Sequence, residues 1–121
     1  MSAPLPIDSI QRPDPGQTLL DIQVRTCPGG VIVQLRGELD FTNTHRIEAV
    51  LRRLREQRLV YLDLAGLSFL DCAGVDAILA AHERQRRRSD RMILTHAGSR
   101  IRRVLELTRA DQLLQIGNDT R

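Results

Sequence analysis

The segment Val60–Gly74, VYLDLAGLSFLDCAG, constrains this chain more than any other. Val60, Leu62 and Leu64 alternate with Tyr61 and Asp63, which is the period of a strand, and the β-branched and aromatic content suits a buried one. The residues after Leu64 read as a short connection, and Asp71-Cys72-Ala73-Gly74 reads as a helix start with Asp71 as capping acid. A strand, a connection and a helix in that order make the core of a parallel α/β unit. The segment also sets one small side chain, Cys72, at the positive end of a helix. That position suits a phosphoryl group, a thiolate or a partner's anion.

The flanking sequence repeats the pattern. Leu19–Arg25 reads as a strand through Leu20, Ile22 and Val24, Cys27-Pro28-Gly29-Gly30 as a turn, and Val31–Arg36 as a returning strand. Gly37-Glu38-Leu39-Asp40 reads as the break after it, with Thr42, Asn43 and Thr44 as alternative N-caps of a first helix. Ile47, Val50, Leu51 and Leu54 form that helix's apolar stripe, Arg46, Arg52, Arg53 and Glu56 its outer face, and Arg58 its approximate end. A second helix carries Val75, Ile78, Leu79 and His82 and closes on the basic run Arg84–Arg88, where cations complement the dipole. Arg91–Thr95 is a further strand, and Ser99 caps a third helix with the stripe Ile101, Val104, Leu105 and Thr108. Leu113–Ile116 remains as an edge strand or a packed tail.

The order ββαβαβα implies one antiparallel hairpin followed by right-handed parallel crossovers. The expected fold is a single α/β domain over residues 17–117, with a mixed, mostly parallel sheet and the helices packed on one face. The opposite face would be partly open or covered by the N-terminal segment. Residues 1–16 hold Pro4, Pro6, Pro13, Pro15 and Gly16 and read as a flexible tail, and residues 118–121 as a C-terminal one.

Composition narrows the function classes. The chain has 121 residues, enough for one domain, and 41% hydrophobic content, enough for a modest core. Its formal charge is +3, but every one of its 18 basic residues is Arg, a uniform choice that points to a GC-rich genome before a nucleic-acid role. Three scattered aromatics, Phe41, Tyr61 and Phe69, make no platform for bases. The N-terminus lacks the basic and apolar regions of a signal peptide, and no apolar run reaches the roughly 20 residues of a membrane span. The chain reads as soluble and cytoplasmic, with no membrane insertion. Cys27 and Cys72 belong at opposite ends of the sheet and should not pair. His45, His82 and His96 lack ligand spacing, so neither metal nor cofactor is expected. An enzyme is not expected either. A cysteine phosphatase loop needs Arg where Ile78 stands, and a nucleophile elbow needs Gly where Leu70 stands.

Three separated motifs resemble one family. Gly37-Glu38-Leu39-Asp40 is similar to the GELD segment of the STAS domain, the fold of bacterial anti-sigma factor antagonists. Asp63-Leu64 through Ser68-Phe69-Leu70-Asp71-Cys72-Ala73-Gly74 resembles its D-L-s-x-L-x-F-[ML]-D-S-[ST]-G core motif. Arg102–Thr108 resembles its k-R-l-f-e-l-t helix, and the likeness runs from about Leu19 to Ile116. The resemblance implies an antagonist that binds a kinase-type anti-sigma factor, of histidine-kinase-like ATPase fold, and so frees a sigma factor. It implies a binding surface of Asp40, Phe41, Thr42, Asp71, Cys72, Ala73, Gly74 and Val75. In regulated family members the kinase phosphorylates the serine after the motif Asp, and Cys72 occupies that acceptor position here, with Ala73 next to it. Two other readings stand beside this one: an accessory subunit of a larger assembly, such as a lipid-transport ATPase or a stress-signalling complex, and a redox-responsive regulator acting through Cys72.

Overall fold

Alternating aliphatic residues build the strands, and four-residue stripes build the helices that cover them. The structure, a computed structural model, describes residues 19–117. The tails read at 1–16 and 118–121 lie outside the described residues. The chain runs β1 (Leu20–Cys27), β2 (Gly30–Leu39), α1 (Thr44–Arg53), β3 (Leu59–Leu70), α2 (Cys72–Arg87), β4 (Arg91–Thr95), α3 (Ser99–Leu107), a 3-10 turn (Ala110–Gln112) and β5 (Gln115–Ile116). The sheet order is β1-β2-β3-β4-β5, antiparallel between β1 and β2 and parallel elsewhere. Every crossover steps the same way, so right-handed connections put all three helices on one face. This is the expected α/β fold.

The core lies between that face and the helices. Leu20, Ile22, Val31, Val33, Leu35, Val60, Leu62, Leu64, Met92 and Leu94 point up from the strands. Ile47, Val50, Leu51, Ile78, Ile101 and Leu105 point down from the helices. Each such aliphatic side chain contributes about 1.5–3 kcal/mol by leaving water. One buried polar group pins the far end of α2. Gln85 Nε2 donates to Gln57 O at 2.9 Å and to Arg91 O at 3.4 Å, tying the helix to the residues that lead into β3 and begin β4.

Several boundaries differ from the sequence reading. β2 does not break at Gly37 but continues to Leu39, and β3 does not stop at Leu64 but continues to Leu70. Two β-bulges explain both differences. The register passes from Gln34↔Asp63 to Arg36↔Gly66, and from Gly37↔Leu67 to Glu38↔Phe69, so β3 twice carries one extra residue. Inward positions therefore fall at Leu64, Leu67 and Leu70, a spacing of three that hides a strand from any search for alternation. Gly37 makes this possible with φ +106°, beside Leu19 O, which accepts the Glu38 N–H at 2.9 Å. α1 ends at Arg53 instead of Arg58, and Gly98, not Ser99, is the N-cap of α3. Arg46, expected on the outer face of α1, is buried in its first turn, where its N–H donates to Asn43 O. Both cysteines are free. Cys27 lies opposite Gly30 and Cys72 follows the partner of Leu39, so most of β2, roughly 30 Å at about 3.3 Å per residue, separates them.

Candidate functional site

Parallel pairing of β2 and β3 brings their C-terminal ends together. Leu39 pairs with Leu70, so the loops into α1 and α2 leave the sheet side by side. Asp71 joins them. Its backbone N–H donates to Leu39 O at 3.3 Å. Its Oδ1 accepts the Gly74 N–H at 2.9 Å, which caps α2, and its Oδ2 accepts the Phe41 N–H at 3.1 Å across to the other loop. One carboxylate thus satisfies backbone donors from two segments thirty residues apart in sequence.

Asp40 braces the first loop from inside. It is only 9% exposed, its Oδ1 accepts the Thr42 N–H at 3.0 Å and the Thr42 hydroxyl at 2.6 Å, and its own N–H donates to Asn43 Oδ1 at 3.0 Å. Asn43 is fully buried, and its Nδ2 donates to Glu38 O at 2.9 Å. Asn43 is the N-cap residue of α1, but its side chain makes no cap bond; it holds the loop to the strand instead. Sequence reading saw Asn43 only as one cap candidate among three.

The eight expected surface residues therefore divide. Phe41 is 76% exposed, Cys72 is exposed, and Thr42, Asp71 and Ala73 are partly so. Asp40 faces inward, as described. Gly74 and Val75 lie beneath the surface, because the inner side of the first turn of α2 rests on the strand ends. A Cβ added at Gly74 would come within 2.6 Å of Leu70 Cδ1 and 3.0 Å of Leu39 Cγ, and Val75 is 2% exposed. These three shape the site from below. Phe69, outside the expected set, is 46% exposed beside them, turned outward by the second bulge. Both phenylalanines of the chain thus lie on the surface at this end of the sheet, and the buried core is aliphatic.

The site presents shape and apolar surface. Neither Cys72 nor Ala73 has a hydroxyl, the Ser68 hydroxyl donates to Gly37 O at 3.0 Å, and the Thr42 hydroxyl is engaged by Asp40. Among the described residues no group of three or more His, Cys, Asp or Glu side chains could hold a metal ion, and no helix is long and apolar enough to cross a membrane. Titration is perturbed far from the site. Burial holds His82, on the far half of α2, below the usual imidazole range; Glu83 opposes that shift and Arg86 adds to it.

A family model described as the STAS domain matches residues 21–121. The chain belongs to the STAS domain family. Its fold is shared by solved members. An anti-sigma factor antagonist from Mycobacterium paratuberculosis is 20% identical, with 80% of this STAS domain chain and 84% of that one covered at a TM-score of 0.74. The anti-sigma factor antagonist SpoIIAA in its unphosphorylated form is 22% identical, covering 80% and 88%, at a TM-score of 0.68. The Bacillus cell fate determinant SpoIIAA in its phosphorylated form is also 22% identical, covering 80% and 91%, at a TM-score of 0.62.

Proposed function

We propose that this STAS domain is an anti-sigma factor antagonist that works by binding in the cytoplasm, without chemistry of its own. Its docking surface is the loop pair Asp40-Phe41-Thr42 and Asp71-Cys72-Ala73, with Gly74 and Val75 supporting it from below. The partner is a kinase-type anti-sigma factor with a histidine-kinase-like ATPase fold, and its capture frees a sigma factor. The observation that carries this reading is the Asp71 carboxylate. By holding the Phe41 amide and the start of α2 at once, it makes two loops into one rigid surface that meets a partner with little ordering cost.

Cys72 changes the regulation. SpoIIAA exists in phosphorylated and unphosphorylated forms. A phosphoryl group would add about 1.5 to 2 negative charges to such an interface. With Cys72 and Ala73 at the motif positions this route is closed, so the domain binds irrespective of the kinase activity of its partner. The test is titration of the domain with the anti-sigma factor, followed by incubation with ATP and phosphopeptide mapping. Binding with no phosphate between Phe69 and Gly74 is the expected result; stoichiometric phosphate there, or no binding, overturns it.

The missing hydroxyls also favour a second reading, a permanently bound STAS subunit of a larger assembly, which needs no release signal. Recovery of the native protein in a complex of fixed composition, without an anti-sigma factor, would establish that reading instead.

A further inference from the structure

Charge is spread unevenly over this molecule. α1 and α2 run down the sheet from the Asp71 loops, and both end where β3 and β4 begin. Residues 52–58 carry Arg52, Arg53, Arg55 and Arg58, and residues 83–91 carry Arg84, Arg86, Arg87, Arg88 and Arg91. Against them in these segments stand Glu56, Glu83 and Asp90, a net charge of +6 in a chain whose total is +3; the rest of the chain is net −3. The helix dipoles account for the arginines of the last turns, Arg52, Arg53, Arg84, Arg86 and Arg87. They do not account for Arg58 and Arg91, which lie past the helices and beyond the reach of either dipole.

Both segments are held in one rigid pole. The side chain of Gln85 ties the Gln57 and Arg91 carbonyls together, and its backbone carbonyl accepts the Arg88 and Asp90 N–H groups at 3.0 and 2.8 Å. The Arg91 N–H donates to Arg58 O at 2.9 Å. Around one buried glutamine the two arginine-bearing segments are therefore fixed side by side. Glu83 pairs with Arg86 and Arg87, and Asp90 with Arg88. Arg52, Arg53, Arg58, Arg84 and Arg91 make no ion pair among the described residues, and all of them but Arg84 are exposed.

We propose that this pole docks on the phosphate backbone of double-stranded DNA, irrespective of sequence. A guanidinium fork donates two parallel hydrogen bonds to phosphate oxygens, and duplex DNA supplies a negative charge about every 1.7 Å of its axis, so several arginines are served at once. Neither segment exposes a large apolar side chain, which a protein interface would need for its core and a bilayer for insertion. Neither carries an aromatic ring on which single-stranded bases could stack. The arginine count alone supports no such docking; the gathering of unpaired arginines at one rigid end does. The Asp71 loops, about 24 Å away along the 16 residues of α2, stay free for a partner.

The test is fluorescence anisotropy of a labelled DNA duplex of about 20 base pairs and arbitrary sequence, titrated with the full-length protein at several salt concentrations. The wild type is expected to bind in the micromolar range at low salt, with a log–log salt slope of about −0.9 for each phosphate engaged. R53Q/R58Q/R91Q should bind at least about tenfold more weakly, with a slope shallower by about 2–3. R36Q/R100Q/R103Q removes the same charge from exposed arginines elsewhere and should change affinity less than about twofold. In the wild type, the duplex should shift the amide NMR signals of residues 52–58 and 84–91 and leave those of 71–74 in place, a readout that needs no variant to fold. No binding at low salt overturns the proposal. So does equal weakening of both variants, or shifts centred on 71–74, since the pole would then not be the contact. Tighter binding to phosphatidylserine vesicles, or to duplex RNA of the same length, would make a membrane or an RNA the occupant instead.

Discussion

From Val60 to Asp63, β3 is paired on both sides, with β2 and β4, in unbroken register; from Gly66 to Leu70 it is paired with β2 alone, and both bulges fall between Asp63 and Phe69. The first half alternates strictly, Val60, Leu62 and Leu64 inward, and places them in the centre of the core. The second half sends every third residue inward and turns Ser68 and Phe69 out. The same strand is built for burial at one end and for presentation at the other. Bulges permit both, because each extra residue re-aims the side chains that follow without opening the sheet. Stability should reside in the first half and recognition in the second, and substitutions can break that division.

The largest effect is expected from Leu62→Ala. It empties a fully buried site in the regular half and should cost about 3–5 kcal/mol in denaturant unfolding. The affinity of the molecules that remain folded should not change. Next comes Cys72→Asp at the presenting end. Its carboxylate sits in the first turn of α2, where it is tolerated or stabilising by about 0.3–1 kcal/mol. Desolvated against a partner, the same charge should weaken binding by about 2–4 kcal/mol, while Cys72→Ser binds nearly as wild type. Titration calorimetry with a thermal melt separates the two contributions. A Cys72→Asp protein that melts and binds like wild type would move the interface elsewhere.

Asp71→Ala removes the acceptor shared by Gly74 and Phe41 and should cost about 1–2 kcal/mol of stability. It should also lower affinity, since the Phe41 loop is no longer held; unchanged affinity would break the argument for one joined surface. The smallest effect is a proton on His82, three residues before the Gln85 anchor of the regular half. Burial lowers its folded pKa, so the unfolded chain takes up the proton first. Stability from the neutral imidazole is full above the unfolded value of about 6.5 and declines as pH falls below it. Urea unfolding at pH 7.5 and 5.5 should show that decline in the wild type and a smaller one in His82→Gln.

Where one periodicity governs, the sequence was legible. The alternation in β1, β2 and the first half of β3, and the stripes of the helices, yield the element order, the parallel crossovers and the single helical layer. Asp71 could be read as a cap because a capping bond is local. Three features could not be read. The bulged half of β3 has a period of three and looks like a loop until its register with β2 is known. The burial of Gly74 depends on how closely α2 approaches Leu39 and Leu70, a distance no local pattern carries, and that of Asp40 on its bonds to Thr42 and Asn43, which the sequence offered only as caps. The bond from Phe41 to Asp71 joins residues thirty apart and exists only once the two strand ends are paired.

That bond holds Phe41 by its amide and leaves its side chain free. Every residue except proline supplies the same N–H, so position 41 can be exchanged without loosening the cap of α2 or the seam between the loops. The frame and its most exposed feature are separately heritable. A lineage of such domains could change the character of the residue it offers at 41, aromatic, aliphatic or charged, and thereby drift from one partner to another, while Asp71 and the small residues under it stay as they are.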